Sequence, residues 1–313
     1  MEKAVITWAE AIKAGKLVAF PTETVYGLGA NALNPTAVAK IFEVKRRPLN
    51  DPLIVHLCSL DRIEGLVEDL PEAAEKLLDA FSPGPLTVVL RKSGIVPDIV
   101  TANNPTVAIR IPSNRIARNL IRASGLPIAA PSANLFGRSS PTSAEHVKAQ
   151  LSGKYALLIN GGACRVGVES TVVSFVSGAP VLLRQGGIEK ERIEAVIGSV
   201  SDWKAGGTQA LESPGLTAKH YAPETPLIIT ENIQEFKDRE DVGKLFFQRP
   251  AEDYSGPVLV LSEDGDLSEA AFNLYHFIRK IDELNLKFIV VEPAPDYGLG
   301  RAINDRLKKA AMT

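Results

Sequence analysis

Apolar residues along the first two thirds of the chain alternate between helical and strand-like spacing. Val5, Trp8, Ala11 and Ile12 recur at helical intervals and predict a first helix, and the run KLVAF after it predicts a strand. Further strands are predicted at PLIVHL, LTVVLR, TVAIRIP, LPIAA, YALLIN, STVVSFV and PVLLR. Because helical segments separate many of them, we predict that residues 1–198 form one α/β or α+β domain on a large, twisted mixed sheet.

The pattern changes after this domain. Glycines, prolines and polar residues fill residues 199–225, the apolar periodicity is lost, and we predict a linker. Its aromatic and basic segment KHYAP favours a functional loop. Beyond it, the strands PLIIT, GPVLVLS and KFIVVEP alternate with a long helix from Leu267 and a last helix from Gly298. Residues 226–313 are therefore predicted to form a small, Rossmann-like parallel α/β domain.

Three cations lie together at Lys45, Arg46 and Arg47, where Pro48 is expected to end a helix, so that all three would form its last turn. The negative end of a helix favours one or two cations there. Three repel one another unless an anion lies among them. The triplet therefore indicates an anion site, and a guanidinium can bind phosphate oxygens in a fork.

Other polar residues lie where predicted strands end. Arg110 ends TVAIRIP and Arg184 ends PVLLR, and ligand crevices in α/β sheets form at strand ends. The loop FPTETVYG carries hydroxyls and one carboxylate, and APSANLFG repeats that layout with Ser132 and Asn134. Structural roles stay open, because loop hydroxyls often cap backbone groups and a lone histidine such as His56 is usually a core residue. The arginines together with the triplet predict a polyanion pocket.

The segment GLGANA resembles a dinucleotide-binding fingerprint, with Gly27, Gly29 and Ala32 at the required spacing and Asp51 about twenty residues on. That fingerprint needs its first glycine at the carboxyl end of a strand, whereas here TETVY intervenes. We therefore reject a dinucleotide site and interpret the glycines as a tight turn.

Composition narrows the function further. The 35 basic and 37 acidic residues nearly balance, so an anion site must be local. The two cysteines form no CxxC pair and lie near no histidine cluster, so we expect no zinc site and no protein-held metal. No apolar window is long enough to span a bilayer, and the amino terminus lacks a signal-like apolar stretch. We expect a soluble, cytoplasmic protein without a membrane partner.

The motifs FPTETVYGLGANA, KRRPLNDPLIVH, VAIRIP, APSAN, ESTVV, LLRQG and SPGLTAKHYAP resemble those of the Sua5 branch of the YrdC/Sua5 family, the threonylcarbamoyl-AMP synthases. The likeness covers essentially the whole chain, including the tail VVEPAPDYGLGRAINDRL. It implies a YrdC-like catalytic domain with an open cleft, a linker over that cleft and a Sua5-type C-terminal domain.

The resemblance also implies a reaction. L-Threonine, bicarbonate or carbon dioxide, and ATP would give threonylcarbamoyl-adenylate and pyrophosphate, the first step toward the t6A modification of tRNA. Magnesium would arrive mainly on the nucleotide, and a downstream transferase would take the product to tRNA. The alternative is an RNA-binding module of the same fold without this activity, and weak RNA binding is also open for the enzyme. The C-terminal domain could be a docking or regulatory unit.

Site residues follow from the same resemblance. The catalytic tetrad of the family falls on Lys45, Arg47, Ser132 and Asn134. That Lys45 lies nearest the transferring phosphate is our own inference and not part of the resemblance. The threonine site would comprise Thr24, His56, Arg110, the backbone at Ala130, and Ser170. The ATP site would comprise Arg47, Asp51, Thr106, Ser132, Ser140, Arg184, His220 and Tyr221, the last two closing the cleft like a lid. The chain reads NDP where many relatives read DNP, which leaves the role of the Asp51 side chain open.

Overall fold

Two sheets organise the part of the chain that the computed structural model describes, residues 2–203 and 221–311. The α-helices are α1 (Glu2–Lys13), α2 (Pro35–Lys45), α3 (Glu72–Phe81), α4 (Asp98–Thr101), α5 (Arg115–Ser124), α6 (Ala144–Leu151), α7 (Lys190–Ile197), α8 (Leu267–Asp282) and α9 (Leu299–Ala311). The strands are β1 (Val18–Phe20), β2 (Gly27–Asn31), β3 (Ile54–His56), β4 (Leu86–Arg91), β5 (Thr106–Arg110), β6 (Ile128–Ala129), β7 (Leu157–Leu158), β8 (Thr171–Ser174), β9 (Val181–Arg184), β10 (Ser201–Asp202), β11 (Leu227–Ile229), β12 (Val242–Gln248), β13 (Val258–Ser262) and β14 (Phe288–Val291).

The larger sheet has ten strands in the order β10-β9-β8-β4-β5-β3-β6-β2-β1-β7. It is mixed, since β3 pairs in parallel with β5 and β4 with β8, whereas β4 and β5 are antiparallel. This confirms the predicted α/β class with a large mixed sheet. Strand β10 lies inside residues 199–225, so the sheet extends into the segment predicted as linker.

Helices cover this sheet with separate apolar clusters. Helix α1 and helix α5 pack over Phe20 and Ile128, which share a cluster with Ile12 and Leu120. A larger cluster gathers the apolar faces of α2, α3, α6 and α7 against the sheet. Burial of these faces, at roughly 25 cal/mol per Å² of apolar surface, is the main favourable term in holding the strands.

Helix α2 ends earlier than the sequence predicted. Asn34 caps its start, because the Asn34 side chain accepts a hydrogen bond from the Ala37 N–H. Arg46 is left-handed, with φ of 53°, and closes the helix after Lys45. The expectation that all three cations form the last turn was therefore wrong. Arg46 and Arg47 lie beyond it, because the chain must leave the helical conformation before it reaches Pro48.

The glycines of GLGANA are in strand β2 and do not form the predicted tight turn. That interpretation was wrong because β2 pairs with β1, with Gly29 opposite Val18. An added Cβ at Gly29 would lie 2.6 Å from the Phe20 Cε1 atom and 2.7 Å from the Ile128 Cγ2 atom. Glycine is needed here because neighbouring side chains occupy the space above the strand.

The second sheet has four parallel strands in the order β11-β14-β12-β13, with α8 and α9 packed on it. This confirms the predicted parallel α/β domain. The sequence prediction missed β12, because Gly243 and Lys244 interrupt its apolar run. Lys244 is fully buried, and its ammonium donates to the backbone carbonyls of Arg239, Val242 and Ser255. A buried ammonium with three acceptors can replace an apolar residue in a strand.

The C-terminal domain packs directly on the first domain. One apolar cluster contains Val25 and Val168 of the first domain together with residues of α8 and α9. Arg301 of α9 forms an ion pair with Glu191 of α7, with 2.7 Å between Nη1 and Oε1. Within the described residues, no helix combines the length and apolarity needed to cross a bilayer.

We expect Gly29→Ala to destabilise the protein by about 1–3 kcal/mol, because the methyl group would overpack the space beside Phe20 and Ile128. The free energy of unfolding is measured by urea titration. Gly94→Ala is the matched control, because a Cβ at exposed Gly94 meets nothing within 4 Å. Equal stability of the two variants would contradict this account of β2.

Candidate active site

Strand register brings polar residues that are distant in sequence into one row across the large sheet. His56 pairs with Arg110, and Arg110 pairs with Thr87. Thr87 in turn pairs with Val172, which pairs with Arg184. Directly paired residues in neighbouring strands lie side by side. The two strand-end arginines and His56 therefore lie along one band of the sheet, as ligand crevices in such folds require.

A cavity of about 50 Å³ opens beside this band. Many of the predicted site residues line it, namely Arg47, His56, Arg110, Ala130, Ser132, Arg184 and Tyr221. Pockets for larger ligands have volumes of ~300–1,000 Å³, so this cavity must widen before it can hold a nucleotide. The structure thus gathers side chains around one small space. They include residues of the loops FPTETVYG and APSANLFG, of strands β3, β5 and β9, and Tyr221.

Arg110 is buried beside Glu23, the carboxylate of the FPTETVYG loop, which was not assigned to a substrate site. The Nη2 atom of Arg110 donates to Glu23 Oε1 at 2.8 Å and to Thr24 Oγ1 at 2.9 Å. Glu23 also accepts from the Ser113 N–H. Burial alone would raise the pKa of Glu23, but the Arg110 charge and these hydrogen bonds bring that pKa below its usual value. An ionised carboxylate therefore pairs with the Nη2 atom of Arg110.

Arg47 is held by the loop that follows it. Its Nε donates to the Asp51 carbonyl at 3.0 Å, and its Nη2 donates to the Pro52 carbonyl and lies 2.8 Å from Asp51 Oδ1. Burial lowers the pKa of Arg47 and raises that of Asp51, although each partner's charge acts in the opposite direction. Asp51 therefore positions the guanidinium and itself lies outside the cavity lining.

Arg184 and Ser170 form a second anchored group. The Arg184 guanidinium donates to the Ser170 carbonyl from Nε and Nη2 and to the Ser170 hydroxyl from Nη2, all at 3.0–3.1 Å. The Ser170 hydroxyl is also 2.7 Å from the Thr87 hydroxyl. These bonds fix the direction of the guanidinium next to the cavity, whereas Ser170 itself does not line the cavity.

Glu169 lines the cavity, and the sequence analysis did not predict it as a site residue. It accepts hydrogen bonds from the Ser140 hydroxyl at 2.6 Å, the Tyr275 hydroxyl at 3.0 Å and Arg306 Nε at 2.7 Å. Burial would raise the pKa of Glu169, but the charges of Arg306 and Arg184 lower it to about 2. The only sequence signal was its position in ESTVV, because Tyr275 and Arg306 come from the C-terminal domain.

Lys45 serves the loop that carries Ser132 and Asn134. Its ammonium is fully buried and donates to the backbone carbonyls of both residues. Burial, aided by the charge of Arg47, holds the pKa of Lys45 well below its usual range. The Asn134 amide donates to the carbonyls of Leu135 and Arg138 and so tightens the same loop. Three members of the predicted tetrad are thus one unit that presents Ser132 to the cavity.

His56 is a buried, neutral side chain at the end of β3. Its Nδ1 lies 3.2 Å from the Ile54 carbonyl, and its ring meets Phe20 edge-on. Burial and the nearby Arg110 charge lower the pKa of His56 to about 3. The backbone N–H of Ala130 donates to the same Ile54 carbonyl. His56 can therefore offer polar contacts to a ligand without adding charge.

Comparisons with known proteins agree with these motifs and this geometry. The Sua5/YciO/YrdC family model, described as "Telomere recombination", matches residues 10–186. A second model, described as "Threonylcarbamoyl-AMP synthase, C-terminal domain", matches residues 188–312. The chain belongs to the Sua5/YrdC family.

Two named relatives are similar to this chain over nearly its whole length. A threonylcarbamoyl-AMP synthase of Bacillus subtilis is 47% identical over 97% of this chain and 91% of its own length. One of Pyrococcus abyssi is 44% identical over 96% of this chain and 92% of its own length. The crystal structure of P. abyssi Sua5 complexed with L-threonine superposes with a TM-score of 0.92, at 42% identity over 99% of this chain and 95% of that chain.

Several predicted site residues of this Sua5-family chain lie away from the cavity. Thr24 and Ser140 are buried behind it, bonded to Arg110 and Glu169. Thr106 begins β5 and lies on the same strand face as Arg110, about 13 Å along the strand at ~3.3 Å per residue. His220 lies outside the described residues. The ligand-binding roles of these residues stay predictions.

We expect His56 to make the stability of the protein fall as the pH drops from 6.5 toward 3. An unfolded histidine binds a proton below its ordinary pKa of 6.5, whereas folded His56 does not until about pH 3. Protonation therefore favours the unfolded chain, by about 1.4 kcal/mol per pH unit within this window. The free energy of unfolding is measured by urea titration between pH 6.5 and 4.5. Its slope against pH should be smaller in His56→Gln than in the unaltered protein, by the amount that corresponds to about one proton. Identical slopes would show that His56 has the same pKa in the folded and the unfolded protein and would contradict this account.

Proposed function

We propose that this chain is a threonylcarbamoyl-AMP synthase. It joins L-threonine, carbon dioxide or bicarbonate, and ATP to give L-threonylcarbamoyl-adenylate and pyrophosphate, the first step of t6A formation in tRNA. The observation that carries the proposal is the convergence of Arg47, Arg110 and Arg184 on one cavity. The full-length likeness to enzymes of this name supports it.

The threonine site is proposed at the Arg110 end of the cavity. The Arg110 guanidinium would bind the amino acid carboxylate, beside the Thr24 hydroxyl that it already contacts. Neutral His56 and the backbone at Ala130 would bound the small side chain, and Ser170 would contribute by holding Arg184. A neutral imidazole suits this place, because a charged one would repel the ammonium group of threonine as it binds.

The ATP site is proposed along the face that carries Arg47, Arg184 and Ser132. Both guanidinium groups are held by backbone carbonyls, so they meet a polyphosphate without reorganising. Ser140 would act through its hydrogen bond to Glu169. Thr106 lies farther along the same strand face, within the length of a nucleotide. Tyr221 lines the cavity, and it would close the site together with His220.

The chemistry then needs positioning and charge stabilisation rather than a covalent nucleophile. The threonine nitrogen bonds to carbon dioxide and loses a proton, which gives a carbamate. A carbamate oxygen bonds to the α-phosphorus of ATP while the bond from that phosphorus to the bridging oxygen of pyrophosphate breaks. Two anions must approach each other, so fixed cations at Arg47 and Arg184 lower the barrier. Lys45 contributes by fixing the Ser132 loop, and proximity to the transferring phosphate is proposed for it as well.

Magnesium would arrive on the triphosphate. Among residues 2–203 and 221–311, no group of three or more histidine, cysteine, aspartate or glutamate side chains is arranged to hold a metal ion. No step above depends on a metal held by the protein.

The chemistry of the product indicates a further partner. A carbamoyl-adenylate is a mixed anhydride, and a transferase that handles tRNA must take it before water does. Direct RNA binding stays a prediction, and the paired carboxylates around the cavity arginines do not favour it. Tight RNA binding that weakens steeply with salt would support the alternative of an RNA-binding module. A cytoplasmic location also stays a prediction.

We expect the purified protein to release labelled pyrophosphate from ATP labelled at the γ-phosphate only when threonine and bicarbonate are both present. Arg47→Ala should lower kcat/KM by on the order of 100-fold or more, since it removes a preorganised donor for the phosphates. Its folding is checked by circular dichroism.

Arg46→Asn is the matched control for this experiment. Arg46 is exposed and left-handed, a conformation that asparagine tolerates, so this variant removes the neighbouring charge without altering the cavity. Its activity should equal that of the unaltered protein. No threonine-dependent pyrophosphate from the unaltered protein, or full activity of Arg47→Ala, would contradict the proposal.

A further inference from the structure

Arg306 is a fully buried arginine of the C-terminal domain whose guanidinium reaches the first domain. Its Nε donates to Glu169 Oε2 at 2.7 Å, and its Nη2 donates to the Gln185 carbonyl at 2.9 Å. The guanidinium also lies over the Tyr221 ring, 5.3 Å from the centroid. One side chain of α9 therefore contacts two residues of the cavity wall, Glu169 and Tyr221.

The charge on Glu169 matters for the neighbouring arginine of the cavity. Glu169 and Arg184 both line the cavity, and the charges of Arg306 and Arg184 both favour the ionised form of Glu169. Removal of one partner of a buried ion pair leaves an uncompensated charge, which is costly. Without Arg306, the Glu169 carboxylate would draw its compensation from Arg184.

We propose that Arg306 is a positioning residue of the ATP site, supplied by the C-terminal domain. By compensating Glu169, it leaves the charge of Arg184 directed at the polyphosphate. This inference rests on the proposed function, and it gives the second domain a role in substrate affinity beyond that of a docking unit.

Simple docking of the two domains does not require this buried charge. Arg301 on the same helix joins the domains through its ion pair with Glu191 at a partly exposed position. Arg279 of α8 donates to the Ser139 carbonyl, and the apolar cluster around Val168 adds further contacts. Arg301 therefore offers a matched control, since it is an interdomain ion pair that does not touch the cavity wall.

The test compares the KM for ATP in four full-length variants. Arg306→Met should raise it by about tenfold or more, with the KM for threonine changed less than threefold. The double variant Glu169→Gln with Arg306→Met removes both charges and should return the KM for ATP to within about threefold of the unaltered protein. Arg306→Lys keeps a positive charge beside Glu169 but loses the planar guanidinium, so it should raise the KM for ATP less than Arg306→Met does. Arg301→Ala should behave like the unaltered protein.

Two outcomes would overturn the inference. An unchanged KM for ATP in Arg306→Met would show that the charge does not act on the site. A KM for ATP that stays high in the double variant would show that Arg306 serves only packing. If Arg306→Met fails to fold, the double variant and Arg306→Lys provide the test. An ATP affinity about tenfold below normal in both of these variants would also overturn the inference.

The same variants separate this inference from the proposed function. If the unaltered protein releases no threonine-dependent pyrophosphate, calorimetric titration with a nonhydrolysable ATP analogue replaces the kinetics. Weaker analogue binding by Arg306→Met, restored in the double variant, would support the positioning role even then. Equal binding by all variants would overturn it independently of the activity.

Discussion

Buried guanidinium groups paired with buried carboxylates define this site. Arg110 lies against Glu23 and Arg47 against Asp51, while Glu169 accepts from Arg306 beside the cavity. A buried charge without a partner costs several kcal/mol, so each arginine can be buried only where a carboxylate or backbone carbonyls meet it. The carboxylates and carbonyls thereby fix the direction of every guanidinium before any substrate arrives.

This arrangement offsets the repulsion expected among the cations Lys45, Arg46 and Arg47. The anion among the cations is supplied by the protein itself, and Lys45 is satisfied by the carbonyls of Ser132 and Asn134. A substrate carboxylate or phosphate then enters a field already shaped by fixed charges, which favours transition states in which negative charge gathers. The second domain takes part, because Tyr275 and Arg306 donate to Glu169. The site is thus built at a domain junction.

Much of the fold follows from local pattern. The β-branched strand runs predicted most strands of the large sheet, and the alternation after residue 226 predicted the parallel second sheet. Prediction failed where a tertiary contact overrides local sequence. Strand β12 contains buried Lys244, whose three carbonyl acceptors lie outside any local pattern. Strand β2 contains glycines that make room for Phe20. Arg110 and Arg184 were predictable from strand ends and Arg47 from the cationic triplet. Glu169 was not predictable, because two of its partners, Tyr275 and Arg306, come from the C-terminal domain.

The most direct measurement is a crystal structure of the protein with L-threonine and a nonhydrolysable ATP analogue. The account predicts the threonine carboxylate on Arg110 and the polyphosphate between Arg47 and Arg184, with the cavity widened to hold both. Density for the nucleotide on the C-terminal sheet, or for a polyphosphate that contacts neither Arg47 nor Arg184, would contradict it.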